Sequence, residues 1–210
     1  MHKKPRGTPY HFSVNTGGGL PPQEMTKHEL HLPHDKASIE RQIAEGFAID
    51  SRNYELYAHI ITDPVQNGEH DIDFTVETDR GAMGLELVEY APVGKLGFSG
   101  PKPNKYDPVE RAREVIELIK SKNNKYRQYN KFQELMLLVY VTDNAWALDI
   151  FSLQAIRFLA RTENTVFRCI AYYKPIQGAS GIVHRVFPIS DVEYEELRSV
   201  HIPREGQRVL

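Results

Sequence analysis

Two apolar runs that carry acids stand close together in residues 68–92, GEHDIDFTVETDRGAMGLELVEYAP. Asp71 and Asp73 alternate with Ile72, Phe74 and Val76, and Glu86 lies between Leu85 and Leu87. Successive side chains of a strand point to opposite faces, so the acids share the face that the apolar residues avoid. Opposed side chains on neighbouring antiparallel strands lie about 5 Å apart at Cβ. A turn near residues 78–81 then sets Asp73 close in register with Glu86. Two carboxylates at that distance repel, and each raises the other's pKa. A divalent cation between them relieves the repulsion. Magnesium, or manganese in its place, favours carboxylate oxygens and retains several waters. Such an ion polarises a phosphodiester and generates hydroxide near neutral pH. The competing reading is a solvated hairpin face. Against it, acids are depleted in strands. The run LVYVTD (138–143) also marks a central strand nearby. Carboxylates on a covered face need partners.

The flanking elements follow from pattern. DKASIERQIAEGFAI (35–49) predicts a helix with Asp35 or Ser38 as cap, an Ile39–Ile43–Phe47 stripe and an Arg41–Glu45 pair. YELYAHIIT (54–62), HDIDFTVE (70–77) and MGLELVEY (83–90) read as strands, with Asn67-Gly68 and TDRG as turns. Ile72, Phe74 and Val76 are expected on one face of the second of these, and Leu85 and Leu87 on one face of the third. Short turns make the three an antiparallel meander. A loop over 92–108 leads to a long helix, 108–129, with Asp107 as cap, Pro108 at its first position and a Val109–Ala112–Val115–Ile116–Ile119 stripe. ELMLLVYVTD (134–143) is apolar throughout, as in a strand covered on both faces. A helix (152–162), two strands (166–176 and 181–189) and a short acidic helix complete the order. The mixture predicts an α/β sandwich, a mixed sheet with helices on both faces.

The end of the long helix, KSKNNKYRQYNK, is the strongest local basic patch, with Lys122, Lys125, Tyr126 and Arg127 as candidate nucleic-acid contacts. Lysines meet phosphate as point charges and tyrosines stack on unpaired bases. The alternative is that these cations simply complement a helix C-terminus. Other motifs carry less. TGGGL (16–20) has no preceding strand and no following GK[ST], so it reads as a linker. His28, His31 and His34 have metal-like spacing, but Pro33 interrupts any helix through them. No nucleophile elbow is present.

Composition sets the outer limits. The chain has 210 residues, a net charge of −2 and one cysteine, Cys169. A disulfide framework and a multi-cysteine zinc site are excluded. No global basic field advertises nucleic acid. No apolar run approaches the roughly 20 residues that span a bilayer, and the basic N-terminus lacks a signal peptide's apolar segment. A soluble cytoplasmic protein without a membrane partner is expected. Residues 1–34 read as an irregular arm, 35–200 as one α/β domain and 201–210 as a polar tail.

The order helix, three-strand meander, helix, strand, with DIDFTVE followed by LELVEY, resembles the PD-(D/E)XK, or restriction-endonuclease-like, nuclease superfamily over residues 36–145. The resemblance implies a three-layer sandwich and a magnesium-dependent nuclease acting on DNA or RNA, with a homodimer expected in the manner of enzymes that cut both strands. Asp73, with Asp71 as backup, would match the family's aspartate, and Glu86 the glutamate of its Glu-X-Lys. A first-helix glutamate, Glu45 or Glu40, would add a ligand. The sequence departs from the pattern at the lysine, where Val88 stands. Lys120, Lys122 or Lys125 of the next helix, or Lys95, would then replace the lysine, or Glu89 would reach the site as a third carboxylate. Otherwise the chain is a non-cleaving member that acts as a binding module.

Overall fold

The computed structural model describes residues 12–14, 23–25, 32–91, 107–143, 146–177 and 179–199. Two short strands, β1 (Phe12–Val14) and β2 (Gln23–Met25), pair antiparallel within the stretch expected to be irregular. Helix α1 spans Lys36–Asp50, and Asp35 is its cap, accepting from the Ser38 N–H at 2.8 Å. Ile39, Ile43 and Phe47 are buried, as their spacing predicts. Arg41 does not pair with Glu45 as expected; it donates to Gln66 at 2.8 Å.

The strand expected over 54–62 does not form. Ser51–Asn53 is a 3-10 turn, and the chain beyond it makes one isolated bridge, Ile60 to Thr78. Leu56, Ala58 and Ile60 are nonetheless buried at alternate positions. Side chains of the following turn take the backbone groups a ladder would need. The Asp79 carboxylate accepts from the His59 N–H at 2.9 Å, and Arg80 Nε donates to the Tyr57 carbonyl. The edge position falls instead to β3, Val65–Gln66.

Strand β4 (Phe74–Thr78) pairs antiparallel with β3 and with β5 (Gly81–Glu89). Gly81, at φ +110°, supplies the left-handed residue of the β4–β5 turn. Asn67 ties the preceding turn, donating its backbone N–H to the Asp73 carbonyl and its amide to the Ile72 carbonyl. Ile72 therefore lies outside the ladder. It packs in a different core from Phe74 and Val76, contrary to the single face expected for the three.

Helix α2 (Pro108–Tyr126) is capped by Asp107 and crosses from β5 to β6 (Leu135–Tyr140), parallel to β5 and buried throughout. Helix α3 (Ile150–Thr162) leads to β7 (Phe167–Ile176), parallel to β6. Strand β8 (Ala179–Phe187) pairs antiparallel with β7, and α4 (Asp191–Ser199) follows. The protein is thus α/β: the described residues form a six-stranded mixed open sheet ordered β3-β4-β5-β6-β7-β8 and four helices. One core joins α1 to Phe74, Val76, Leu85, Leu87 and Leu138; the other joins α2 and α3 to Leu137, Val139 and Ile170. Among the described residues no helix is long and apolar enough to cross a membrane.

Candidate active site

The register that pairs Phe74 with Leu85, continued by one residue, sets Asp73 opposite Glu86. Asp73 precedes β4, and its Oδ2 accepts from the Leu87 N–H at 2.7 Å. Burial, then the charge of Glu86, push its carboxyl up to about 6; Glu40 adds to the rise, while the Leu87 bond and Lys122 oppose it. The paired carboxylates read from the sequence are therefore electrostatically in contact, and they are not a solvated face.

Glu86 is fully buried. Three donors from the last turns of α2 surround it. Lys122 Nζ lies 2.5 Å and Lys125 Nζ 3.5 Å from Oε1, and Tyr126 Oη donates to Oε2 at 2.5 Å. Residues three and four apart share a helix face, so the Val115–Ile119 stripe continues into Lys122 and Tyr126. The apolar part of that stripe packs on the sheet, and its polar end meets the one acid β5 presents there. Burial, followed by the Glu86 bond, drives the Tyr126 hydroxyl well above its ordinary range. Tyr126 is thus a fixed donor.

Helix α1 contributes Glu40, which is buried and takes Lys36 at 3.2 Å across one turn. The Lys36 ammonium is held above its ordinary pKa by Glu40 first, and by Asp73 and Glu86 as lesser causes. At the ends of the parallel strands, Glu89 accepts from Thr142 Oγ1 at 2.5 Å. Tyr140 pairs in register with Glu89 and is raised by burial, then by Glu89, Glu40 and Asp73.

Other candidates fall elsewhere. Glu45 is exposed on α1, so the first-helix acid beside Asp73 is Glu40. Lys120 turns to Glu117 at 3.0 Å and Glu163 at 3.5 Å, away from Glu86. Asp71 forms its own unit with Lys131 and Tyr129, which hold its carboxyl down at about 2. Arg127 caps α2 and is exposed. Val88 is half-buried beside the Glu86 core face. Lys95, His28 and His31 lie outside the described residues. Lys36 and Tyr140 were missed by sequence reasoning, and Lys131 was included in the basic stretch 120–131 without being singled out. The i, i+4 spacing of Lys36 and Glu40 was the one available signal.

The donor chemistry suits a hard divalent cation: carboxylate oxygens of Asp73 and Glu86, with Glu40 nearby, and an Asp73 carboxyl raised by burial first and by Glu86 second. Both Glu86 oxygens already accept hydrogen bonds, so an ion would share them with Lys122 and Tyr126. Among the described residues no group of three or more His, Cys, Asp or Glu side chains is gathered closely enough to form a complete metal site. Comparison with family models, with curated proteins and with solved structures finds no match.

Proposed function

We propose that the chain is a magnesium- or manganese-dependent phosphodiesterase acting on nucleic acid, a divergent relative of the PD-(D/E)XK nucleases. The observation that carries this reading is the opposition of Asp73 and Glu86 with Lys122 bonded to Glu86. The order of α1, β3, β4, β5, α2 and β6, with β5 and β6 parallel, supports the three-layer arrangement of that superfamily. Asp73 and Glu86 would hold the cation, with Glu40 assisting. When bound, the cation supplies Lewis-acid polarisation of the phosphodiester and an acidified water. Lys122 takes the role that Val88 cannot. Its ammonium has three donors. One is on Glu86, which leaves two to meet a phosphate oxygen. Burial and Glu86 raise the Asp73 carboxyl to about 6, so it ionises as pH rises toward neutrality while keeping the Leu87 N–H on Oδ2. The site is therefore charged for cation binding near neutral pH. Tyr126 holds Glu86 in one orientation from the side opposite Lys122.

The test is conversion of supercoiled plasmid and of circular single-stranded DNA in manganese. Wild type is expected to cut at least one of them, and Asp73→Asn and Lys122→Met to cut neither. A second reading is a non-cleaving binding module of the same fold. It is favoured by the complete burial of Glu86 and the engagement of both its oxygens. Wild type inert on both substrates selects it.

A further inference from the structure

Beyond Glu86, the chain from Tyr126 to Phe132 leaves the helix and builds a ledge of rings. Tyr126 and Tyr129 meet edge to face at 5.4 Å, and Tyr129 and Phe132 stack at 6.5 Å with planes 22° apart. Tyr129 and Phe132 are half-buried: they pack against the α2–α3 core yet retain exposed surface. The sequence makes room for this. A Cβ on Gly84 would come within 2.9 Å of Phe132, so glycine at 84 lets the Phe132 ring lie on β5. Cations flank the rings. Lys125 Nζ sits 4.6 Å from the Tyr126 ring and Lys131 Nζ 5.7 Å from the Phe132 ring. Lys131 is 52% exposed, although Asp71 pairs with it. Residues 120–131 contain five lysines and arginines and no acid, in a chain whose net charge is −2.

We infer that the Tyr129–Phe132 ledge binds a single-stranded nucleic acid, its bases stacking on the two rings and its phosphates meeting Lys125, Arg127 and Lys131. This rests on, and narrows, the nucleic-acid reading of the adjoining carboxylate site. A ring exposed at a surface stacks on an unpaired base, whereas the base faces of a duplex are covered. The fixed groups of the ledge are rings and ammonium groups, with the Asp71 carboxylate held by Tyr129 and Lys131. Rings and ammonium groups meet ribose and deoxyribose strands alike, so what the ledge selects is an unpaired strand. Because Tyr126 joins the ledge to Glu86, a strand on the rings would run past the proposed reacting groups.

The test is fluorescence anisotropy of a labelled oligothymidylate in EDTA, so that binding is read apart from cleavage. The same titration is run with the matched duplex and with oligouridylate. The single strands are expected to bind tighter than the duplex, with log K falling against log salt at a slope of about −2, as for about three phosphate contacts; oligouridylate beside oligothymidylate tells which sugar is preferred. Phe132→Leu keeps an apolar side chain over Gly84 and is expected to weaken binding about 5- to 100-fold. Arg127→Glu weakens it with the ring surface intact, while Arg198→Glu, the same charge change on exposed α4, does not. A protein that binds the strand but never cuts it refutes the phosphodiesterase and leaves this inference standing. Absence of strand binding, tighter binding of the duplex, or indifference to Phe132→Leu overturns it.

Discussion

Replacing Asp73 by asparagine is expected to stabilise the metal-free protein at neutral pH. The folded carboxyl titrates at about 6, against an ordinary value of 3.8, chiefly because it is buried and faces Glu86. A raised acid binds its proton more tightly folded than unfolded, so its ionisation costs stability. Below about pH 4 both states are protonated and the cost is absent. It grows as pH rises toward 6 and is constant above. At about 1.4 kcal/mol per tenfold, the gap caps the penalty near 3 kcal/mol. Asparagine keeps an oxygen for the Leu87 N–H and removes the charge, so a gain of about 1–3 kcal/mol is expected at pH 7. For a chain of this size each kcal/mol raises the melting temperature by about 2–4 °C. Melting wild type and Asp73→Asn side by side from pH 3.5 to 8 in EDTA measures the difference directly. It should open between pH 4 and 6. A variant less stable than wild type at pH 7, or a difference flat across the range, would refute the electrostatic reasoning.

Tyr126→Phe leaves Glu86 Oε2 buried without its donor. A loss of about 1–3 kcal/mol in denaturant melts is expected, with Lys122 still bound to Oε1. Gly84→Ala presses a methyl to 2.7 Å from Ile72 and 2.9 Å from Phe132, so thermal melts should show a loss of about 1–3 kcal/mol. Glu193 takes Arg157 and Arg185 at 2.5 Å each and joins α4 to α3 and β8. Burial works against its charge, but bonds from Ser190 and Arg185 prevail and hold its carboxyl at about 2. A lowered acid stabilises above its unfolded pKa, so Glu193→Gln should destabilise at pH 7. That deficit should shrink as pH falls from about 4.5 toward 2, as paired melts at pH 7 and 3 would show.

The carboxylate pair was legible because its signal is short-range. Asp73 directly precedes β4 and Glu86 sits on β5, the two strands are joined by a tight turn, and period-2 alternation plus that turn fixes their register. Glu86 and Tyr126 are 40 residues apart, and their bond depends on the angle at which α2 crosses the sheet, which no local pattern encodes. Lys122 and Lys120 were equal candidates by type. Helical phase separates them, since Lys122 continues the buried Ile119 stripe and Lys120 points to Glu117 and Glu163. The failure at 54–62 has a different cause. Its residues alternate in burial as in a strand, but among the described residues its backbone bonds to the neighbouring backbone only at His59 and Ile61, and the side chains of Asp79 and Arg80 take the His59 N–H and Tyr57 carbonyl that would extend the ladder. Ile72 was misplaced because Asn67 and Asp71 hold its backbone in a turn.

Manganese titration calorimetry on wild type beside Asp73→Asn tests most directly whether these carboxylates converge on a cation. One site per chain in wild type, lost in Asp73→Asn, is the predicted result. No binding by wild type at millimolar manganese, or equal binding by both proteins, would contradict it.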